Sequence, residues 1–426
     1  WGTNITYLGY LLMSIGMIFS LFSKGGRFRL LSDKLKKSRE KRTKLMMVFA
    51  GLWLSTSLVF SQDSTNTHAG HNHGSTEVRV MKMMSEEHSE ELSSLLVQNF
   101  QERISPIHTL CDQLLRKIHK KDHFGEYNAV QTIFSMHMDP EFWMKEKIIF
   151  VSSKSNLRKK LGMDGKYIAF TDLVDSNGVF KLMGDYQEAH QRLEMSRDEY
   201  DKKLIKLGER FQVFESVLGW RYMKIVPLRN DATHTWLVPM DMELGRKDSV
   251  AFSYVKNYFV SLSQAITDSS YVNANKELAA FKNYQKEVSK GIVPSESLVA
   301  QEISYNKMHI FSNSYKSYLL LGFLMLIIFF IRVFIRPATG ASRVFSVITK
   351  VLIGLVAVIF LYHGYGVYLR AMIAGHAPWS NGYEAVIFIA WISVLFGFIF
   401  SPKNTVILAG AVILASLMIF VTELEL

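Results

Sequence analysis

One stretch near the carboxyl end constrains this chain most. Leu361 to Trp391 reads LYHGYGVYLRAMIAGHAPWSNGYEAVIFIAW, two apolar helical runs around a short polar loop. The loop holds His376, Pro378, Ser380, Asn381, Tyr383 and Glu384. A connection that tight between two spanning helices lies at a membrane surface, with aromatic and ionisable groups at one depth. The rest of the chain either anchors this hairpin or hangs outside the membrane beside it.

Hydropathy patterning predicts a mainly α, polytopic helical membrane protein of about six spans with a large, mainly helical extracytoplasmic domain. Hydrophobic residues make up 49% of the 426, yet mean hydropathy is only +0.10, as expected for spans plus a polar region. Thr3 to Phe22 carries no charge and is long enough to cross ~30 Å of hydrocarbon. Ser23 to Lys44 comes next with ten Lys/Arg against two acids, a local charge of +8. A basic run beside an apolar segment reads as a cytoplasmic flank, so Trp1 lies outside. Without aromatic interleaving or a binding module, nucleic acid is not the expected partner; membrane lipid is.

Leu45 to Gln62 is the second apolar segment, with the basic flank and small-residue end of an internal signal sequence. Retained as a span or cleaved near Ser61, it puts the large polar region beyond it on the far side of the membrane. Residues 1–62 thus form two helices with a basic loop, and 63–76 a polar linker. In that linker His68, His71 and His73 can gather a transition metal or simply be solvated.

Residues 77–316 read as the extracytoplasmic domain. Helical spacing runs from Glu86 to Phe100 and again through Ile107, Leu110, Cys111, Leu114, Leu115 and Ile118. Asp185 to Val217 reads as one long amphipathic helix, and Asp248 to Lys290 as two helices. Short extended pieces flank a turn at Arg229–Thr233, and Ser295 to Lys316 runs on into the next span. No catalytic set emerges. His108, His119, His123, His137, His190, His234 and His309 are scattered, and Cys111 stands alone, so no dithiol pair or internal disulfide exists within this sequence.

Residues 317–426 hold four spans: Ser317 to Ile335, Val344 to Leu369, Glu384 to Phe400 and Thr405 to Val421. Arg332, Arg336 and Arg343 place the end of the first of these inside, so the Gly375–Glu384 loop and the large domain share the outer side. His363 lies within a span, on one face with Gly366, Val367 and Arg370. An ionisable group at that depth is a functional candidate, and the alternative is a neutral histidine bonded to a neighbouring helix. Gly364 and Gly366 leave room for something flat or for another backbone. Ser380 or Asn381 can cap the next helix and Glu384 suits its first turn, which leaves His376 without a structural role.

Gly375, His376, Pro378, Ser380, Asn381, Tyr383 and Glu384, with Arg370 upstream, closely resemble the G-H-x-P-x-S-N-x-Y-E element of CcsA-type cytochrome c biogenesis proteins. The upstream spans and large domain resemble the CcsB/ResB partner fused ahead of CcsA in the System II, CcsBA-type proteins, as does Arg103 to Ile118 more weakly. The family's tryptophan-rich W-G-x-x-W-x-W-D loop does not occur in this sequence, which reads as an internal piece ending before it. The resemblance implies movement of haem b across the bacterial cytoplasmic (inner) membrane. It also implies delivery, as a cytochrome c synthase or haem lyase, to Cys-x-x-Cys-His motifs of apocytochrome c on the periplasmic side. The implied partners are apocytochrome c, the remaining CcsA-like part of the same chain and a thiol-reducing protein. Candidate haem-binding residues are His363, His376, Arg370 and Trp379; no catalytic residue or metal site is assigned. The competing function class is a membrane-anchored extracytoplasmic sensor or assembly scaffold without haem chemistry. A solute transporter would show broken helices in inverted halves, which this layout lacks.

Overall fold

A computed structural model describes residues 81–425, apart from 100–101, 154–155, 230, 232, 335–339 and 403. The segments Thr3–Phe22 and Leu45–Gln62, the basic run between them and the His68, His71 and His73 linker lie outside the described residues.

The extramembrane domain opens with α1 (Glu86–Ser93), whose N-cap Ser85 accepts a hydrogen bond from the His88 amide. The helical spacing read as far as Phe100 is not used. The chain leaves the helix at Ser94 and forms β1 (Leu96–Gln98), antiparallel to β2 (Ile104–Pro106). The reason is non-local. The Gln285 side chain accepts from the Leu96 amide at 3.0 Å and donates to the Leu96 carbonyl at 2.8 Å, acting as a further strand partner.

After β2, α2 (Ile107–His119) buries the expected stripe of Ile107, Leu110, Cys111, Leu114, Leu115 and Ile118. The pairs β3 (His123–Phe124) with β4 (Tyr127–Asn128), and β5 (Ile149–Phe150) with β6 (Tyr167–Ile168), are short antiparallel clips. Between them lies α3 (Ala129–Met138), started by an Asn128/Gln131 capping box.

The single helix expected over Asp185–Val217 is two: α4 (Met183–Gln191) and α5 (Glu199–Leu218), with a 3-10 turn between. Asp198 and Asp201 form a capping box that starts α5 afresh, and Arg192 reaches back to buried Asp201 at 2.8 and 2.9 Å. The extended pieces meet at a Val226–Leu237 bridge, and α6 (Ser249–Asp268) and α7 (Val272–Val288) form the two helices read from the sequence. Fully buried Phe134, Trp143, Phe214, Tyr258 and Phe281 centre this core.

The passage into the apolar helices is broken, not continuous. α8 (Glu296–Met308) ends at His309, which takes a left-handed backbone (φ 45°), and α9 (Ile310–Phe334) starts anew. Side chains satisfy the freed Met308 carbonyl: it accepts from Asn313 at 2.9 Å and from the Tyr362 hydroxyl at 3.1 Å.

Three more helices complete the membrane part: α10 (Gly340–Ala374), α11 (Gly382–Phe400) and α12 (Thr405–Glu425). α12 packs on both α9 and α11, and α9 on α10. Small residues allow close approach at two seams. A Cβ on Gly322 would stand 2.6 Å from Ile413, and one on Gly397 2.7 Å from Ala411. Leu320, Phe330, Val358, Leu361 and Leu417 point outward with more than half their surface bare, as a lipid-facing band requires. Among the described residues four helical segments are long and apolar enough to cross a membrane: Glu296–Val333, Arg343–Ala374, Gly382–Phe400 and Thr405–Glu423. The chain is a mainly-α membrane protein with a helical extramembrane domain.

Candidate functional site: the loop between α10 and α11

The loop is built by its own sequence. Gly375 terminates α10 with φ +69°, the left-handed turn that favours glycine, and its amide closes on the Ala371 carbonyl at 3.0 Å. Asn381 caps α11 by accepting from the Glu384 amide at 2.8 Å. The Ser380 hydroxyl donates to the Ala377 carbonyl at 2.9 Å and tightens the turn.

Glu384 does more than favour a helix start. It is 2% exposed and lies at the centre of the loop. One carboxylate oxygen accepts from Arg370 Nε at 3.1 Å; the other accepts from the Ser380 amide at 3.3 Å and lies 3.7 Å from His376 Nδ1. A buried carboxylate needs such partners, and here they come from both sides of the hairpin. The Arg370 guanidinium also stacks over the Tyr383 ring at 4.8 Å, and Tyr305 of α8 stands beside it. Sequence reasoning named each loop residue but missed both the Arg370–Glu384 pair and Tyr305.

His376 is a half-exposed imidazole held from one side. Its Nδ1 lies 3.1 Å from the Ala377 carbonyl, to which it donates, and 3.7 Å from Glu384, so in the neutral ring Nε2 is the acceptor nitrogen. A carboxylate behind one ring nitrogen orients the other towards a metal. Trp379, 42% exposed, lies alongside and packs on Phe388 with ring centres 5.0 Å apart. His376 and Trp379 therefore fit an axial donor and a flat apolar neighbour for a metalloporphyrin.

His363 does not fit that role in this packing. It is fully buried and neither ring nitrogen makes a hydrogen bond; the Ile387 backbone stands beside it without hydrogen-bond geometry. Phe311 and Tyr318 lie with ring centres 5.7 and 5.8 Å from the imidazole. The glycines that promised room are filled. A Cβ on Gly364 would meet Trp391 at 2.8 Å, and one on Gly366 would meet Ile310 at 2.6 Å. A macrocycle reaching His363 would have to displace these side chains. His363 is separated from the His376 loop and shares only the α10 face with Arg370.

The extramembrane domain reaches the loop through α8. Glu302, 4% exposed at its side chain, accepts from Arg103 and from the Thr109 hydroxyl. Asn306 also donates to Thr109, at 2.9 Å. At the α8–α9 break, Asp122 gathers His123 (2.8 Å), His309 (3.1 Å) and Arg116 (2.9 Å). The histidines that looked scattered in sequence thus converge in part. Hydrogen bonding from His309, then from His123, holds the Asp122 carboxyl well below its usual range.

Fold and site together define a polytopic helical membrane protein whose extramembrane domain is tied to a tightly built loop carrying one accessible histidine. The chain is similar to Protein NrfI of Wolinella succinogenes, with 28% identity over 428 residues. That match takes in 100% of this chain and 45% of the relative, so the chain spans less than half the relative's length. No family model matches.

Proposed function

We propose that this chain serves cytochrome c maturation by handling haem at the outer face of the bacterial cytoplasmic membrane. In this reading α10 and α11 place their loop on the periplasmic side, together with the extramembrane domain. Haem is the cargo and apocytochrome c the recipient. His376 offers Nε2 to the iron, Glu384 holds the imidazole through Nδ1, and Arg370 pairs with that carboxylate. Trp379 supplies an apolar face for the macrocycle.

The observation that carries this reading is the buried Glu384 between Arg370 and His376, with the His376 side chain half exposed at the loop. The resemblance of the seven loop residues to CcsA-type proteins supports it. So does the similarity to Protein NrfI, which runs through both the extramembrane domain and the loop. Residues 77–316 and 317–426 are then the CcsB-like and CcsA-like portions, and a thiol-reducing protein keeps the recipient cysteines ready.

The test is haem absorbance of protein purified from membranes. Wild type should carry a Soret band that His376→Ala weakens or shifts and His363→Phe leaves in place. Absence of any Soret band from wild type would favour the scaffold reading.

A further inference from the structure

The polarity of three packed helices places one tip of the extramembrane domain at the bilayer. Asn306 of α8 donates to Thr109 near the start of α2 at 2.9 Å, and His309, three residues on, accepts from Arg116 near its end at 3.2 Å. α2 thus runs beside α8 towards the membrane. Glu423, at the far end of α12, lies within charge–charge range of Arg116 and His309, so α2 ends where α9 and α12 meet the lipid surface. α5 runs the other way. The Lys117 carbonyl accepts from Arg210 at 3.2 Å near the end of α2. Lys224, just past the end of α5, accepts from the Gln98 amide at 2.9 Å in β1, whose partner β2 leads into α2. The turn ahead of α5 therefore faces the bilayer.

That turn carries bare apolar tips beside a basic face. Leu193 is 80% exposed and Met195 entirely so. A braced turn holds them out. The Ser196 hydroxyl donates to the Leu193 carbonyl at 2.8 Å, Arg197 Nε to the Ala189 carbonyl at 3.0 Å, and Arg192 to Asp201 at 2.8 and 2.9 Å. Behind them Lys203, Lys206 and Arg210 follow at i, i+3 and i+7 on α5, against Lys117 and Lys120 at the end of α2. Glu209 pairs with Lys117 at 2.6 Å and Glu199 with Lys203 at 3.6 Å, which leaves the face positive overall. Partial burial, and then the surrounding Arg210, Lys206, Lys117 and Lys203, hold Lys120 down to about 8. An anion at this face would relieve that crowding.

We propose that this tip is a lipid-docking surface, in which Leu193 and Met195 enter the headgroup layer and Lys120, Lys203 and Lys206 meet the phosphates of anionic phospholipid. The pairing of apolar tips with a basic flank is that of an interfacial anchor. It extends the lipid-facing band of the apolar helices onto the domain. A free phosphate has no use for the two apolar tips, and a protein partner would have to share the space with the bilayer. The inference is independent of the cargo proposed above.

The full chain in nanodiscs tests this, with phosphatidylcholine alone compared against discs containing phosphatidylglycerol. Acylation of Lys120 and peroxide oxidation of Met195 are read by peptide mass. Both should slow about threefold or more in the anionic discs, and Lys120 should recover in about 1 M salt, where charges are screened beyond ~3 Å. Lys206→Gln should raise the fraction of phosphatidylglycerol needed for half protection about fivefold, the worth of one surface cation. Leu193→Asp, at an exposed tip outside the core, should weaken the protection of both residues. Equal rates in the two kinds of disc overturn the proposal. So does the same protection from inorganic phosphate in neutral discs, or protection that neither variant reduces.

Discussion

The Arg370–Glu384 pair can be dissected by a double-mutant cycle. Glu384 is 2% exposed at its side chain and Arg370 30%, so the two ends of the pair are unequally buried. Arg370→Ala strands an enclosed carboxylate, which costs about 3–5 kcal/mol. It also removes the guanidinium from the Tyr383 ring, about 0.5–2 kcal/mol more. Glu384→Gln keeps an acceptor for Arg370 and for the Ser380 amide, and Arg370 stays partly hydrated, so its cost is about 1–2 kcal/mol. In the double variant no buried charge is left unpaired. The cycle should therefore return a coupling of about 1–3 kcal/mol. Unfolding of the four proteins in mixed micelles measures it, with tryptophan fluorescence as the signal. A coupling below about 0.5 kcal/mol would mean that solvent screens the pair and that Glu384 is not organised by Arg370.

Other contacts carry outcomes of their own. Gly364→Ala drives a Cβ to 2.8 Å from the Trp391 indole nitrogen, which donates to the Phe360 carbonyl at 3.1 Å. It should cost about 1–3 kcal/mol in the same unfolding assay. Asp248 caps α6, accepts two hydrogen bonds from Arg229 at 2.9 Å and one from the Tyr284 hydroxyl at 3.2 Å. Asp248→Ala should cost about 3 kcal/mol or more, against about 1 for a cap alone. Burial lowers His137 from 6.5 to about 4, so the unfolded chain takes up its proton first as pH falls. Its contribution is complete above 6.5 and is lost progressively towards pH 4, and His137→Gln should flatten the stability profile over that window.

What the sequence disclosed was local. The Ser380–Asn381–Gly382 turn, the Asn381 cap and the buried stripe of α2 depend on neighbours in the chain, and each is where residue type and spacing put it. The misread elements depend on distant partners. Leu96–Gln98 has helical spacing, but Gln285 and β2 supply strand hydrogen bonds from elsewhere in the fold. The break at His309 is held by Asn313 and by Tyr362, from another helix, on the Met308 carbonyl. The division of Asp185–Val217 had a local signal in Asp198 and Asp201, outweighed by the amphipathic spacing on either side. At the candidate site, Glu384 was legible as a first-turn acid. Its tie to Arg370 was not, because only the folding back of α11 on α10 brings them together.

α8 is anchored at neighbouring turns to two different things. Glu302 grips Arg103 and Thr109 of the extramembrane domain, and Tyr305 rests against the arginine that neutralises Glu384. The left-handed residue at its end marks the break between this short helix and the long one beyond it. The extramembrane domain and the arginine beside the His376 loop thus share one short helix as their common support.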